Sequence, residues 1–149
     1  MTATITAPTL QERASSKLGA GVLSYVGLLG RVFYSVIFIL SGPNHFKAQT
    51  IGYAAAQGVP LASILVPLSG IIALLGGLSI ALGYRAKLGA WLIVLFLVPV
   101  TLMMHRFWGL TDPQVAQLQL AMFMKNLTIL GAALIIARVG SGPLSLRRD

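Results

Sequence analysis

The side chains able to exchange protons or bind an oxygen atom are concentrated between Met103 and Asn126, in MMHRFWGLTDPQVAQLQLAMFMKN. One long apolar run closes there on His105, Arg106, Phe107 and Trp108. After a short loop the next run opens with Gln117, Gln119, Lys125 and Asn126. Histidine passes protons near neutral pH, lysine and arginine donate to a carbonyl or phenolate oxygen, and tryptophan or phenylalanine stacks on a flat ring. Such a set suits the head group of a quinone-like molecule. Asn44 and His45, in SGPNHF, are the other polar candidates at the end of an apolar run.

Plainer roles compete for the same residues. His105, Arg106, Phe107 and Trp108 can form an ordinary interfacial belt, Lys125 can snorkel to the headgroups, and the glutamines can act as interhelical hydrogen-bond glue. Two histidines could also ligate a haem iron, but nothing in their spacing aims both rings at one plane. Asp112 is the only carboxylate nearby, and no metal site is expected. The chain has no cysteine, so it can build neither a thiol relay nor an iron–sulfur cluster from its own residues. No cofactor motif is present, and any redox cofactor has to be borrowed.

The elements that position these residues follow from composition. Of 149 residues, 56% are hydrophobic and 9% charged, and the mean hydropathy is +0.86. Four apolar runs, 21–41, 62–82, 88–104 and 118–137, come close to or exceed the roughly 20 residues that cross a hydrocarbon core. They predict an all-α, polytopic membrane protein, a bundle of four transmembrane helices. A polar tail over 1–20, a membrane domain over 21–138 and a basic tail over 139–149 complete the division. The first run is too long for the apolar part of a signal peptide, so no cleaved signal is expected. The net charge of +8 is spread over the ends of the runs, which points to anionic lipid headgroups rather than nucleic acid.

Arg31 lies inside the first run. An arginine at the bilayer centre costs about 2.5–3.5 kcal/mol on insertion scales. It is therefore expected either to mark the cytoplasmic end of a helix that starts near Leu28, or to pair with Ser24, Tyr34 or Ser35. Ser41-Gly42-Pro43 ends the run, and 48–61 reads as an interfacial helix with Tyr53 at headgroup depth. The loop Gly83–Lys87 is short enough to force the second and third runs into antiparallel contact. Arg13, Lys17, Arg85, Lys87, Arg138, Arg147 and Arg148 flank one set of ends, and Lys47 and Arg106 the other. Positive-inside then puts both termini in the cytoplasm and both histidines at the outer end. Lys125, roughly 12 Å into the last run, is expected to face inward with Asn44, Gln119 or a ligand oxygen as partner. Gln119 and Asn126 share its helix's inward face.

The segments SGPNHF, YAAAQGVP, LSGIIALLGGLSIALGYRAKLGAW, MMHRFW and FMKNLTILGAALIIA, in that order, resemble the DoxX family over about residues 25 to 140. The resemblance implies a four-helix bacterial or archaeal membrane protein of the cytoplasmic membrane, related to the small subunit of a quinol oxidase and of thiosulfate:quinone oxidoreduction. By position, Arg31, Asn44, His105, Lys125 and Asn126 match the family's polar sites. One departure is Ala73, where many members carry a glutamate ahead of the double glycine.

The expected function is an accessory subunit of a quinone-linked redox system, with Asn44, His45, His105, Arg106, Trp108, Gln119, Lys125 and Asn126 as ligand-binding candidates and quinone or quinol as the ligand. The alternative is a non-catalytic scaffold in a membrane complex. A small-solute transporter is disfavoured, because four short-looped helices leave a narrow conduit. The bilayer is the first partner; redox-complex subunits and self-association into a homo-oligomer are left open, as is catalysis by the chain alone.

Overall fold

The computed structural model describes residues 10–147, with side chains from Gly19 onward. Residues 1–9 of the expected polar tail, and Arg148 and Asp149 at the other end, lie outside the described residues. Helix α1 spans Leu10–Ser41, a 3₁₀ turn covers Gly42–Phe46, and α2 is the short helix Ala48–Ala56. Then follow α3 (Ala62–Leu82), α4 (Ala86–Met104) and α5 (Pro113–Val139). Four stretches among the described residues are long and apolar enough to cross a membrane: Gly19–Phe46, Ala62–Leu82, Ala86–Met104 and Pro113–Val139. The protein is a multi-pass membrane bundle, clad in exposed apolar side chains such as Leu23, Phe33 and Leu40. Those side chains face acyl chains, where apolar surface costs nothing.

Helix α1 starts well ahead of the expected Gly21. The preceding residues, LQERASSKLGA, are mostly good helix formers and contain no proline, so nothing breaks the turn-by-turn extension. Pro43 imposes the stop, and the chain tightens into the 3₁₀ turn rather than unwinding. Helix α5 has a well-specified beginning. Asp112 is extended, its carboxylate accepts from Gln114 N at 2.8 Å and Val115 N at 3.3 Å, and Pro113 occupies the first helical position.

Helix α3 is the centre of the bundle, packed against α1 on one side and α4 on the other; α5 packs on α4. Helices α1 and α5 barely touch, and the Tyr34 hydroxyl, which donates to Ile129 O at 3.3 Å, is a bond between them. Gly76 and Gly77 let neighbouring helices close in: a Cβ on Gly76 would stand 2.8 Å from Ile93 Cδ1, and one on Gly77 3.1 Å from Phe38 Cβ. The core is Phe38, Ala73, Ile80, Ala90, Ile93, Phe96, Leu97 and Ala133. Ala73 is fully enclosed in it. A smaller cluster, Ala54, Ala62 and Val66, pins α2 onto α3.

Arg31 lies within α1, level with the turn between α3 and α4, where a Cβ built on Gly83 would stand 3.0 Å from its Nη1, and it is 6% exposed. Its guanidinium donates to the backbone carbonyls of Ser141 and, at 2.7 Å, Leu144. The segment after α5 folds back over this end of the bundle. Leu146 N and Arg147 N donate to Leu82 O and Gly83 O, each at 3.1 Å, and Tyr84 and Arg147 form an isolated parallel bridge. Two of the three guanidinium nitrogens are thus met by carbonyls more than a hundred residues away, while Nε is buried without a partner.

Candidate functional site

The other end of the bundle carries both histidines. His45 lies in the 3₁₀ turn, its Nδ1 3.1 Å from Ser41 O, one turn back on the same chain. Its ring meets Phe96 edge to face, with centroids 5.6 Å apart. His105 is the residue at which α4 stops, and its Nδ1 is 3.0 Å from Gln119 Oε1 on α5. The Asp112 cap sets the start of α5 and with it the register that brings Gln119 opposite His105.

Two cavities adjoin this pair. The larger, about 550 Å³, lies between α2, α3 and α4 and is almost wholly apolar; Tyr53, Leu68, Pro99 and Met103 are among its walls. Its volume is in the range of small-molecule sites, roughly 300–1,000 Å³. The smaller, about 200 Å³, lies between α1, α4 and α5 and includes Ser41, Lys125 and Asn126 in its lining. His45, Phe96, Val100 and His105 border both. An apolar chamber and a smaller one edged by Lys125 and Asn126 therefore share a wall made of two imidazoles, a phenyl ring and an isopropyl group.

Of the candidate residues, the structure brings His45, His105, Gln119, Lys125 and Asn126 together. Asn126 is 6% exposed and borders the smaller cavity. Lys125 borders it too, but the side chain is exposed and not buried. Its Nζ lies 3.5 Å from Met122 Sδ, and neither Asn44 nor Gln119 is its partner. Helix geometry explains this. Residues 125 and 126 are about 100° apart around the axis, so only one of them can face fully inward, and Asn126 takes that place.

Three candidates stand apart. Asn44 is exposed. Arg106 is exposed and reaches Gln57 O at 3.5 Å. Trp108, 51% exposed, packs edge-on against Phe107 and Phe123, with centroids 5.2 and 6.1 Å away. Arg31 lies at the opposite end. The sequence reading missed Ser41, Phe96 and the lining of the apolar chamber. Ser41 acts through its backbone carbonyl, and Phe96 is one apolar residue among many in α4, so neither carried a signal.

Lysine and asparagine N–H groups here can donate to a ligand oxygen, and an apolar chamber lies beside them.

The DoxX family profile matches residues 26–106. Two Escherichia coli K12 relatives are similar over most of their length. The inner membrane protein YphA is 28% identical over 123 residues, which cover 81% of this chain and 87% of the relative. The inner membrane protein YqjF is 30% identical over 123 residues, covering 81% and 88%. No solved structure matches.

Proposed function

The chain belongs to the DoxX family, and from that premise we propose that it binds the head group of a membrane quinone or quinol at the histidine end, as an accessory subunit of a quinone-linked redox system. What carries the reading is the shared wall: His45 and His105 stand between an apolar chamber large enough for part of an isoprenoid chain and a smaller chamber edged by Lys125 and Asn126. When bound, such a group supplies two-electron, two-proton redox chemistry. The residues supply its setting. Lys125 Nζ and the Asn126 amide donate to an oxygen, Phe96 offers its ring as a flat apolar wall, and the imidazoles take or give a proton at the free nitrogen. Electron exchange with the ligand runs through a partner redox subunit, since the chain has no cysteine for a thiol couple. On the positive-inside count, this end faces the outer side of the inner membrane.

Native mass spectrometry of detergent-purified protein mixed with membrane lipid extract tests this. The wild type should carry an adduct of quinone mass, weakened in Lys125→Ala and in His105→Ala. No adduct on the wild type, or the same adduct on both variants, would remove the reading.

A scaffold role is the second reading, and one observation favours it: α5 fully buries only Asn126 and Ala133, and although Ile129, Leu130, Ile136 and Ala137 pack on the core, Leu118, Leu127 and Ile135 are left exposed to lipid or to a partner. A polypeptide that copurifies equally with wild type and both variants, without any adduct, would make it the better one.

A further inference from the structure

The hydrogen bonds behind the two histidines fix which nitrogen each offers to a ligand. A carbonyl oxygen only accepts, so the contact between Ser41 O and His45 Nδ1 places a hydrogen on Nδ1. Neutral His45 then holds Nε2 as a bare lone pair. Gln119 Oε1 does the same to His105 Nδ1, giving the same tautomer and a second bare Nε2. Neither Nε2 has a partner among the described residues. Nor is either sealed in the core, where the buried side-chain nitrogen and oxygen atoms without partners are Arg31 Nε and Ser35 Oγ. Both open on free space, and both residues border both cavities.

The histidine end thus offers two kinds of group. Lys125 and Asn126 bring N–H donors, whereas the two Nε2 atoms are acceptors that need an incoming hydrogen. A quinone carbonyl answers the donors alone and leaves both imidazole nitrogens unpaired. A hydroquinone hydroxyl answers both, because its oxygen accepts while its hydrogen donates. Resting on the proposed quinone site, we propose that His45 and His105 select the reduced, dihydroxy form of the ligand, whose O–H groups donate to the two Nε2 atoms. Ser41 and Gln119 are then positioning groups, acting by holding the tautomers. An acceptor that ligand binding closes off from water and leaves unpaired costs enough for a preference of about tenfold or more.

Three probes on the wild-type protein in lipid nanodiscs separate the possibilities: an alkyl para-hydroquinone kept reduced under anaerobic conditions, the corresponding para-quinone, and the dimethyl ether of the hydroquinone. The ether keeps the ring and the acceptor oxygens but has no O–H. Calorimetric titration should find the hydroquinone tightest by about tenfold over both others. Replacing both histidines, His45→Phe with His105→Phe, should bring the three affinities together. Equal or tighter binding of the quinone, or of the ether, overturns the selection while leaving the quinone site standing. Absence of binding by all three removes the site and the selection together. The wild-type comparison decides the matter even if the double variant does not fold.

Discussion

Gly70 of α3 lies directly against His45: a Cβ built on Gly70 would stand 2.6 Å from the Cβ of the histidine and 2.9 Å from Gly42 O. The backbone of the 3₁₀ turn, and not a flexible side-chain tip, occupies the space. Gly70→Ala must therefore move the turn, and His45 with it. Binding of a hydroquinone probe should fall about tenfold or more, in keeping with a misplaced contact group. Gly131, in α5, has nothing within 4 Å of a built Cβ, and Gly131→Ala should leave binding unchanged. Equal affinity for both variants would show that the Gly70 contact does not set the position of His45.

Arg31 holds the carboxy-terminal segment through two backbone carbonyls, those of Ser141 and Leu144. In Arg31→Leu these acceptors lose a charged donor, a loss of roughly 1.5–3 kcal/mol per bond, and the bridge between Tyr84 and Arg147 loses its support. Arg31→Lys should recover only part, because one ammonium cannot reproduce the planar fork. Limited trypsin digestion checks this: cleavage at Arg147 should speed up markedly in Arg31→Leu, less in Arg31→Lys. The same cleavage rate in all three proteins would mean that the segment is held by other contacts.

Asp112 is a helix cap: its carboxylate oxygen accepts from Gln114 N and Val115 N. Asp112→Ala should lower stability by about 0.5–2 kcal/mol, and Asp112→Asn, which keeps the accepting oxygen, by much less. Thermal unfolding in detergent reads the difference. Because α5 carries Gln119, Lys125 and Asn126, the alanine variant should also bind a hydroquinone probe more weakly than the asparagine variant. Indistinguishable melting of the two would place the cap's contribution elsewhere.

The spans were legible because hydropathy over 62–82 or 88–104 has only one physical use at that length. The same feature hid the interior. Helices α3 and α4 are apolar all round, so no periodicity distinguishes Phe96, on the wall of both cavities, from Leu102, which lines neither and is 50% exposed. Polar residues were easier: His45 and His105 end successive outward runs, so an antiparallel bundle had to bring them to one end. Lys125 and Asn126 could not both turn inward, and their adjacency in sequence concealed which one does. Arg31 was least legible, since its partners are main-chain carbonyls of a loop written with glycine, serine and proline.

Gln119 offers the most direct way to separate a binding group from a positioning group. Its Oε1 lies on His105 Nδ1, on the side of the ring away from the free nitrogen, so it has no need to touch a ligand. In Gln119→Leu the contact is lost and His105 becomes free to carry its hydrogen on Nε2, where it would donate instead of accept. The hydroquinone should then lose affinity by about tenfold, at the scale of one unpaired polar group. The quinone carbonyl gains a donor, so its affinity should hold or rise. A structural defect would weaken both probes together. Opposite movement of the two affinities therefore identifies a change of tautomer, and a parallel fall would assign Gln119 to packing alone.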